Sequence, residues 1–248
     1  HDYDLDRMVL GMKASLDYYT AQFGPYPDSQ LRIVEIPRYG GFGHAHPHTI
    51  AFTEDAFFSR VREGEVDQPF FGTAHEVAHQ WWGGRVRGAP VRGAGFLSES
   101  LANYSAMMVT EKTYGPDMAR RVYDFQKERY LVGRANRSRE VPLLEVDDQS
   151  YLAYRKGAIA MYMLREQIGE AAVNGALRRY FEKFHDAGPP YPTSLDLYAE
   201  LRAVTPDSLQ SLLTDLFETI TLWDVRTERA VTEPTGDGQH AVTLTVVA

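Results

Sequence analysis

The sequence predicts an α+β fold that is mostly helical. Three observations predict it. Apolar residues recur at helical spacing through most of the chain beyond about residue 70. Two short strand-like runs precede them, at 31–36 and 49–53. An alternating run, Val-Thr-Leu-Thr-Val-Val-Ala, closes the chain and reads as strand.

Each element follows from local signals. Leu5, Met8, Val9, Met12, Leu16, Tyr19 and Phe23 repeat at helical spacing, so 5–23 reads as a helix, and Gly24-Pro25-Tyr26-Pro27 stops it. Residues 40–48 are rich in glycine and histidine, hence a loop or an irregular sheet edge. Residues 70–82 are helical in pattern and meet a stop at Gly83-Gly84. A glycine-rich connection leads to a second strong helix over 98–113, with Ser98 as N-cap and Gly115-Pro116 as its stop. Further helices are expected near 118–132, 152–168, 170–184, 194–204 and 206–219. After Leu222 the pattern turns to strands, broken at Pro234 and at Gly236-Asp237-Gly238. Residues 1–220 then form one domain, and 221–248 begin a truncated C-terminal β-module.

The bulk properties exclude several function classes. A chain of 248 residues suits one large domain, or one domain in two lobes sharing a cleft. It has no cysteine, which removes thiol catalysis and thiolate metal sites. The formal net charge is −8 and basic residues are scattered, so nucleic acid is not an expected partner. No apolar run approaches a membrane span. The start at His1, without methionine, and the strand-like end read as a piece of a longer protein.

The chemistry concentrates in His75-Glu76-Val77-Ala78-His79. Residues four apart share one helix face, so His75 and His79 can direct two imidazoles at one zinc ion. Glu76 lies beside them, free to act as general base on a zinc-activated water. A catalytic zinc takes three protein ligands and one open position. The third should be a His, Asp or Glu on a nearby element, and Glu99, at the head of the next helix, is the best candidate. A developing oxyanion needs a second electrophile besides zinc, and a tyrosine hydroxyl from the facing lobe would serve.

The run His75-Glu76-Val77-Ala78-His79-Gln80-Trp81-Trp82-Gly83, then Leu97-Ser98-Glu99-Ser100, then Tyr154-Arg155-Lys156-Gly157, resembles the gluzincin peptidases of the membrane alanyl aminopeptidase family. The resemblance covers nearly the whole chain and implies a thermolysin-like catalytic domain, with a small N-terminal mixed-sheet lobe and a helical C-terminal lobe. It implies one catalytic zinc on His75, His79 and Glu99, Glu76 as base, Tyr154 as oxyanion stabiliser and a peptide as substrate. Tyr151 is a weaker candidate for the tyrosine role. Pro37-Arg38-Tyr39, Thr73-Ala74, Leu101 and Pro190-Tyr191-Pro192-Thr193-Ser194 further resemble a bacterial branch in which such a domain follows the membrane spans of an ABC-transporter permease-like protein. That implies a membrane-anchored parent with this domain on the extracytoplasmic face.

The sequence departs from the family twice. Nineteen residues separate His79 from Glu99, one more than is usual, and the loop at 88–95 is the expected place for the extra one. The family's Gly-Ala-Met-Glu-Asn segment, whose Glu grips the substrate's free amine, corresponds to Phe42-Gly43-His44-Ala45-His46, so Ala45 replaces that acid. The alternating His44, His46 and His48 read as a cleft-lining loop, a substrate contact or a second metal site. Asn103, four residues after Glu99, is placed to hydrogen-bond a ligand histidine. Trp81 and Trp82 read as packing, and Arg155 and Lys156 as solvated charges or as guides for a peptide carboxylate. The leading expectation is an aminopeptidase-like zinc peptidase whose free-amine-binding Glu is replaced by Ala45; the rival is a non-catalytic, zinc-containing peptide-binding or regulatory domain of a membrane transporter-like protein.

Overall fold

A computed structural model describes residues 3–38, 40, 43–58, 61–136, 139–221 and 225–247. His1, Tyr39, Phe42 and Leu222, named above, lie outside the described residues. The chain runs through helix α1 (Leu5–Gln22), a three-stranded sheet, and then a mainly helical remainder. In the sheet, β1 (Arg32–Ile36) pairs in parallel with β3 (Thr49–Thr53), and β2 (Gly43–His46) pairs antiparallel with the other side of β3. The stretch expected as loop or irregular edge is therefore a regular edge strand. His44 and His46 share its exposed face with ring centroids 4.5 Å apart, whereas His48 leaves it, at φ 56° in the turn.

Helix α2 (Gln68–Ala78) carries the histidine pair. It starts two residues before the sequence pattern, because Asp67 caps it by accepting from the Phe70 N–H at 3.1 Å. Asp67 is itself held by Arg7 and by Tyr114, whose hydroxyl donates at 3.0 Å. The helix ends four residues before the expected Trp82, with His79 as C-cap, and Gly83 takes the positive φ of 85° that turns the chain back. Helix α1 packs closely across α2: a Cβ on Gly11 would lie 2.9 Å from the Phe70 carbonyl oxygen.

The second strong helix is not a plain α-helix. Phe96–Ser100 form a π turn that runs directly into α3 (Leu101–Tyr114), and Ser98 caps nothing. A second π turn, Tyr151–Lys156, runs into α5 (Gly157–Ile168) in the same way. Between them lies α4 (Pro116–Ala135), and α6 (Glu170–Phe184), α7 (Ser194–Val204) and α8 (Gln210–Phe217) complete the helical part. The two π turns press together: the Ser100 hydroxyl donates to the Ala153 carbonyl at 2.6 Å, and any side chain on Gly157 would overlap Ser100. The core threads this region, with Trp81, Trp82, Phe96, Tyr104, Met107, Leu152 and Tyr180 fully or almost fully buried. Strands β4 (Arg226–Pro234) and β5 (His240–Val247) form a mostly exposed hairpin that turns at Gly236 and Gly238.

Candidate metal centre and cleft

Four elements converge on one spot: α2, the two π turns and the α3 helix that follows the first. His75 Nε2 and His79 Nε2 lie 3.1 Å apart. Glu99 Oε2 stands 3.3 Å from the first and 3.4 Å from the second. These residues make up the metal-competent group of histidine and acidic side chains among the described residues.

Partners on the far side of each ring settle what these atoms are. His79 Nδ1 lies 2.9 Å from the Trp82 carbonyl oxygen, which can only accept, so Nδ1 carries the proton. Asn103 donates its amide N–H to the Tyr154 carbonyl, so its Oδ1 faces His75 Nδ1 at 3.1 Å and accepts from it. Both Nε2 atoms of the neutral rings therefore present lone pairs, toward each other and toward a carboxylate oxygen. That oxygen is buried and receives no directed hydrogen bond. Three acceptor atoms this close require a positive charge among them. A tetrahedral ion about 2.0–2.1 Å from its nitrogen and oxygen ligands needs those ligands about 3.3–3.4 Å apart. The two separations to Glu99 are 3.3 and 3.4 Å, and the one between the imidazoles is slightly shorter at 3.1 Å. The residues fit a zinc ion.

The titration behaviour agrees. Burial works against a charged His79, yet Glu99 and Glu76 beside it outweigh that and raise its pKa. Burial would likewise raise the Glu99 carboxyl, but both histidines hold it well below the usual carboxylate range. Without an ion, a proton on His79 is the alternative occupant.

The other predicted residues sort clearly. Glu76, 8% exposed, lies in the same cleft, which has a volume of about 890 Å³. Its carboxylate lies under the backbone of β2: a Cβ on Gly43 would come within 2.7 Å of Glu76 Oε1. Tyr154 lines the cleft, and its ring stacks on His75 with centroids 5.7 Å apart. Burial first, then the charges of Glu99 and Glu76, push its hydroxyl up, so it keeps its proton at neutral pH. Tyr151 does not share that face. It stacks on Tyr130 at 6.2 Å and is buried, because a π turn breaks the three-residue stacking that an α-helix would give. The π turn at Glu99 also offers a second place for the extra residue expected in the 88–95 loop.

Sequence reasoning missed three supports. The Trp82 backbone carbonyl orients His79, a role no side-chain motif signals. Gln80 donates to the His46 carbonyl at 3.0 Å and accepts from the His48 N–H at 3.1 Å, pinning the edge strand to the histidine helix. Gly43 leaves room for the Glu76 carboxylate. Asn103 stands where its spacing from Glu99 predicts. Trp81 and Trp82 are packed, with indole N–H groups donating to the Gly24 carbonyl and the Ser105 hydroxyl.

Comparison with known proteins gives consistent relatives. The chain is 26% identical over 181 residues to human endoplasmic reticulum aminopeptidase 2, covering 68% of this chain and 19% of that protein. It is 30% identical over 77 residues to the tricorn protease-interacting factor F2 of Thermoplasma volcanium, covering 30% of this chain and 10% of that one. Its fold resembles a mutant M1 zinc metallopeptidase of Deinococcus radiodurans bound to a Tyr-Ser-Ala substrate, with a TM-score of 0.65 at 20% identity over 90% of this chain and 46% of that one. It also resembles native yeast LTA4 hydrolase, with a TM-score of 0.70 at 15% identity over 90% and 38%. The chain thus spans less than half of each relative. The model of the peptidase family M1 domain matches residues 7–215, and the chain belongs to that family.

Proposed function

We propose that this domain is a zinc-dependent peptidase, with His75, His79 and Glu99 as ligands of one zinc ion, Glu76 as general base and Tyr154 as oxyanion stabiliser. The observation that carries the proposal is the convergence of three lone-pair atoms beside a cleft-facing carboxylate and a protonated tyrosine. Zinc, when bound, supplies Lewis acidity that lowers the pKa of a water to about 7 and polarises the scissile carbonyl. The chain's own residues do the rest. Glu76 takes the proton of the attacking water and passes it to the leaving nitrogen. Tyr154 donates its O–H to the carbonyl oxygen as negative charge grows there. Asn103 and the Trp82 carbonyl hold the rings in the tautomer that leaves Nε2 free. Strand β2, at the sheet edge, offers backbone groups to an extended peptide.

Aminopeptidase action is the activity named in the human relative, but Ala45 supports a different cut. The acids lining the cleft among the described residues are Asp28, Glu76, Glu99 and Asp186. Asp28 lies against His48 Nδ1 at 2.8 Å, Asp186 is paired with Arg85 at 2.6 Å, and Glu76 and Glu99 serve the metal centre. None is free to grip a substrate amine as the family's missing Glu would. The proposed activity therefore does not depend on a free amino terminus. A non-catalytic peptide-binding module would leave Glu76 and Tyr154 without a task.

In this reading 1–220 is a thermolysin-like catalytic domain of two lobes, and 221–248 begins a separate β-module. The parent is a membrane-anchored, permease-like protein that holds the domain outside the cytoplasm. Among the described residues no helix is long and apolar enough to cross a membrane. Metal analysis should give about one zinc per chain. A peptide library read by mass spectrometry should show cleavage that is lost in Glu76→Gln and retained on N-acetylated peptides. A metal-free protein, or equal products from Glu76→Gln, would overturn the proposal.

A further inference from the structure

Two cations follow Tyr154, and the structure separates them. Lys156 is taken: its ammonium pairs with the buried carboxylate of Glu140, which also accepts from the Tyr130 hydroxyl. Arg155 instead lines the cleft. One of its N–H groups donates to Gln126 Oε1 at 2.8 Å, and the rings of Phe125 and Tyr154 lie 5.7 and 6.0 Å from its Cζ. Among the described residues it has no carboxylate partner. Burial, then the like charge of Arg129, lowers its pKa, the signature of a cation lacking a counter-charge. A guanidinium stays charged regardless.

The rest of the cleft makes this lone cation matter. Asp186 is paired with Arg85, Asp28 lies 2.8 Å from His48 Nδ1, and a divalent ion, when bound, would offset Glu76 and Glu99. Arg87, also lining the cleft, is exposed, and among the described residues it donates only to the Gly84 carbonyl at 3.3 Å. Among the described residues neither Arg87 nor Arg155 is ion-paired with a carboxylate, although the net charge of the protein is −8. We infer that Arg155 binds a carboxylate of the substrate close to the scissile bond, so that the site selects peptides carrying an anionic group there. The inference rests on the peptidase reading above. Gln126 and the two rings fix the plane of the guanidinium, and a preorganised fork binds a carboxylate with less entropy lost per hydrogen bond. Two sources supply that chemistry: the α-carboxylate of a short peptide, or an Asp or Glu side chain beside the cleaved bond.

The test uses the zinc-loaded protein and matched peptides. One arm compares free C-terminal acids with C-terminal amides. The other compares Glu with Gln beside the scissile bond, in amidated peptides. The wild type should prefer the acid in one arm by about tenfold or more in kcat/KM. Arg155→Gln should bring that ratio close to one, and Arg155→Lys should recover part of it, by restoring charge without the fork. Calorimetric binding of the same pairs to Glu76→Gln reads the preference as a ratio of Kd without turnover. A wild-type ratio near one in both arms, or one unchanged in Arg155→Gln, overturns the inference. Should Arg155→Gln fail to fold, the wild-type ratios and Arg155→Lys decide. Binding preference without cleavage sinks the peptidase reading alone, and cleavage without preference sinks only the role of Arg155.

Discussion

Gly43→Ala is a one-carbon perturbation aimed at the base and not at the metal. The added Cβ would lie 2.7 Å from Glu76 Oε1, 3.0 Å from Glu76 Cδ and 2.6 Å from Phe52 Cε1. Ordinary contact begins at 3.4 Å, so the carboxylate must retreat by about 0.7 Å and the ring by about 0.8 Å. The carboxylate is the free end of a flexible side chain and moves readily. Phe52 is 5% exposed and packed, so its displacement carries most of the stability cost, about 1–3 kcal/mol as for other overpacked cores. For a chain of this size that lowers Tm by a few degrees. Catalysis should suffer more, because a misplacement approaching 1 Å can cost on the order of 10² in rate. Zinc content should not change, since His75, His79 and Glu99 are untouched. The assay is kcat on a cleaved peptide at a temperature well below both Tm values, with metal analysis alongside. Full activity in Gly43→Ala would refute the placement of Glu76 as base beneath the edge strand. Lost zinc would show instead that the strand supports the metal centre.

Tyr154→Phe should lower kcat by about 10²–10³ with zinc content kept, because the ring stays on His75 and only the oxyanion donor is removed; steady-state kinetics and metal analysis check this. Asn103→Ala leaves His75 Nδ1–H without its buried acceptor, and zinc affinity measured by chelator competition should fall by about 10–100-fold. Zinc binding should also weaken with acid. In the metal-free site the raised pKa of His79 means that its protonated form, paired with Glu99, stabilises the fold below the ordinary histidine range, and this contribution is lost as pH rises through the raised value. Zinc must displace that proton. Affinity should climb about tenfold per pH unit below the raised value and level off above it, and calorimetry in buffers of different ionisation enthalpy should count about one proton released.

How much of this was legible in the sequence depends on how far along the chain each cause lies. The repeat of four between His75 and His79 fixes their common face, because helix geometry is local and holds through the last turn of α2. The stops at Gly83 and Gly115 are equally local, set by a backbone that only glycine adopts cheaply. The mostly helical α+β class followed from periodicity alone, and so did the ends of α6 and α7. The edge strand escaped because Gly43–His46 has weak strand propensity; pairing with β3 and the Gln80 clamp impose it from outside. The π turns escaped because an α and a π turn share one hydrophobic pattern, and the choice follows from Ser100 meeting Ala153 across 53 residues.

The sequence by itself determined which atoms can hold a metal and which carboxylate stands beside them. Tertiary structure decided their protonation, through a carbonyl at Trp82 and an amide 28 residues from His75. It also decided which tyrosine and which cation face the cleft: Tyr154 and Arg155 do, while Tyr151 stacks on Tyr130 and Lys156 pairs with Glu140. The physical reason is the same throughout. Ligand spacing is a property of one helix, whereas orientation and free charge depend on what distant segments bring against it.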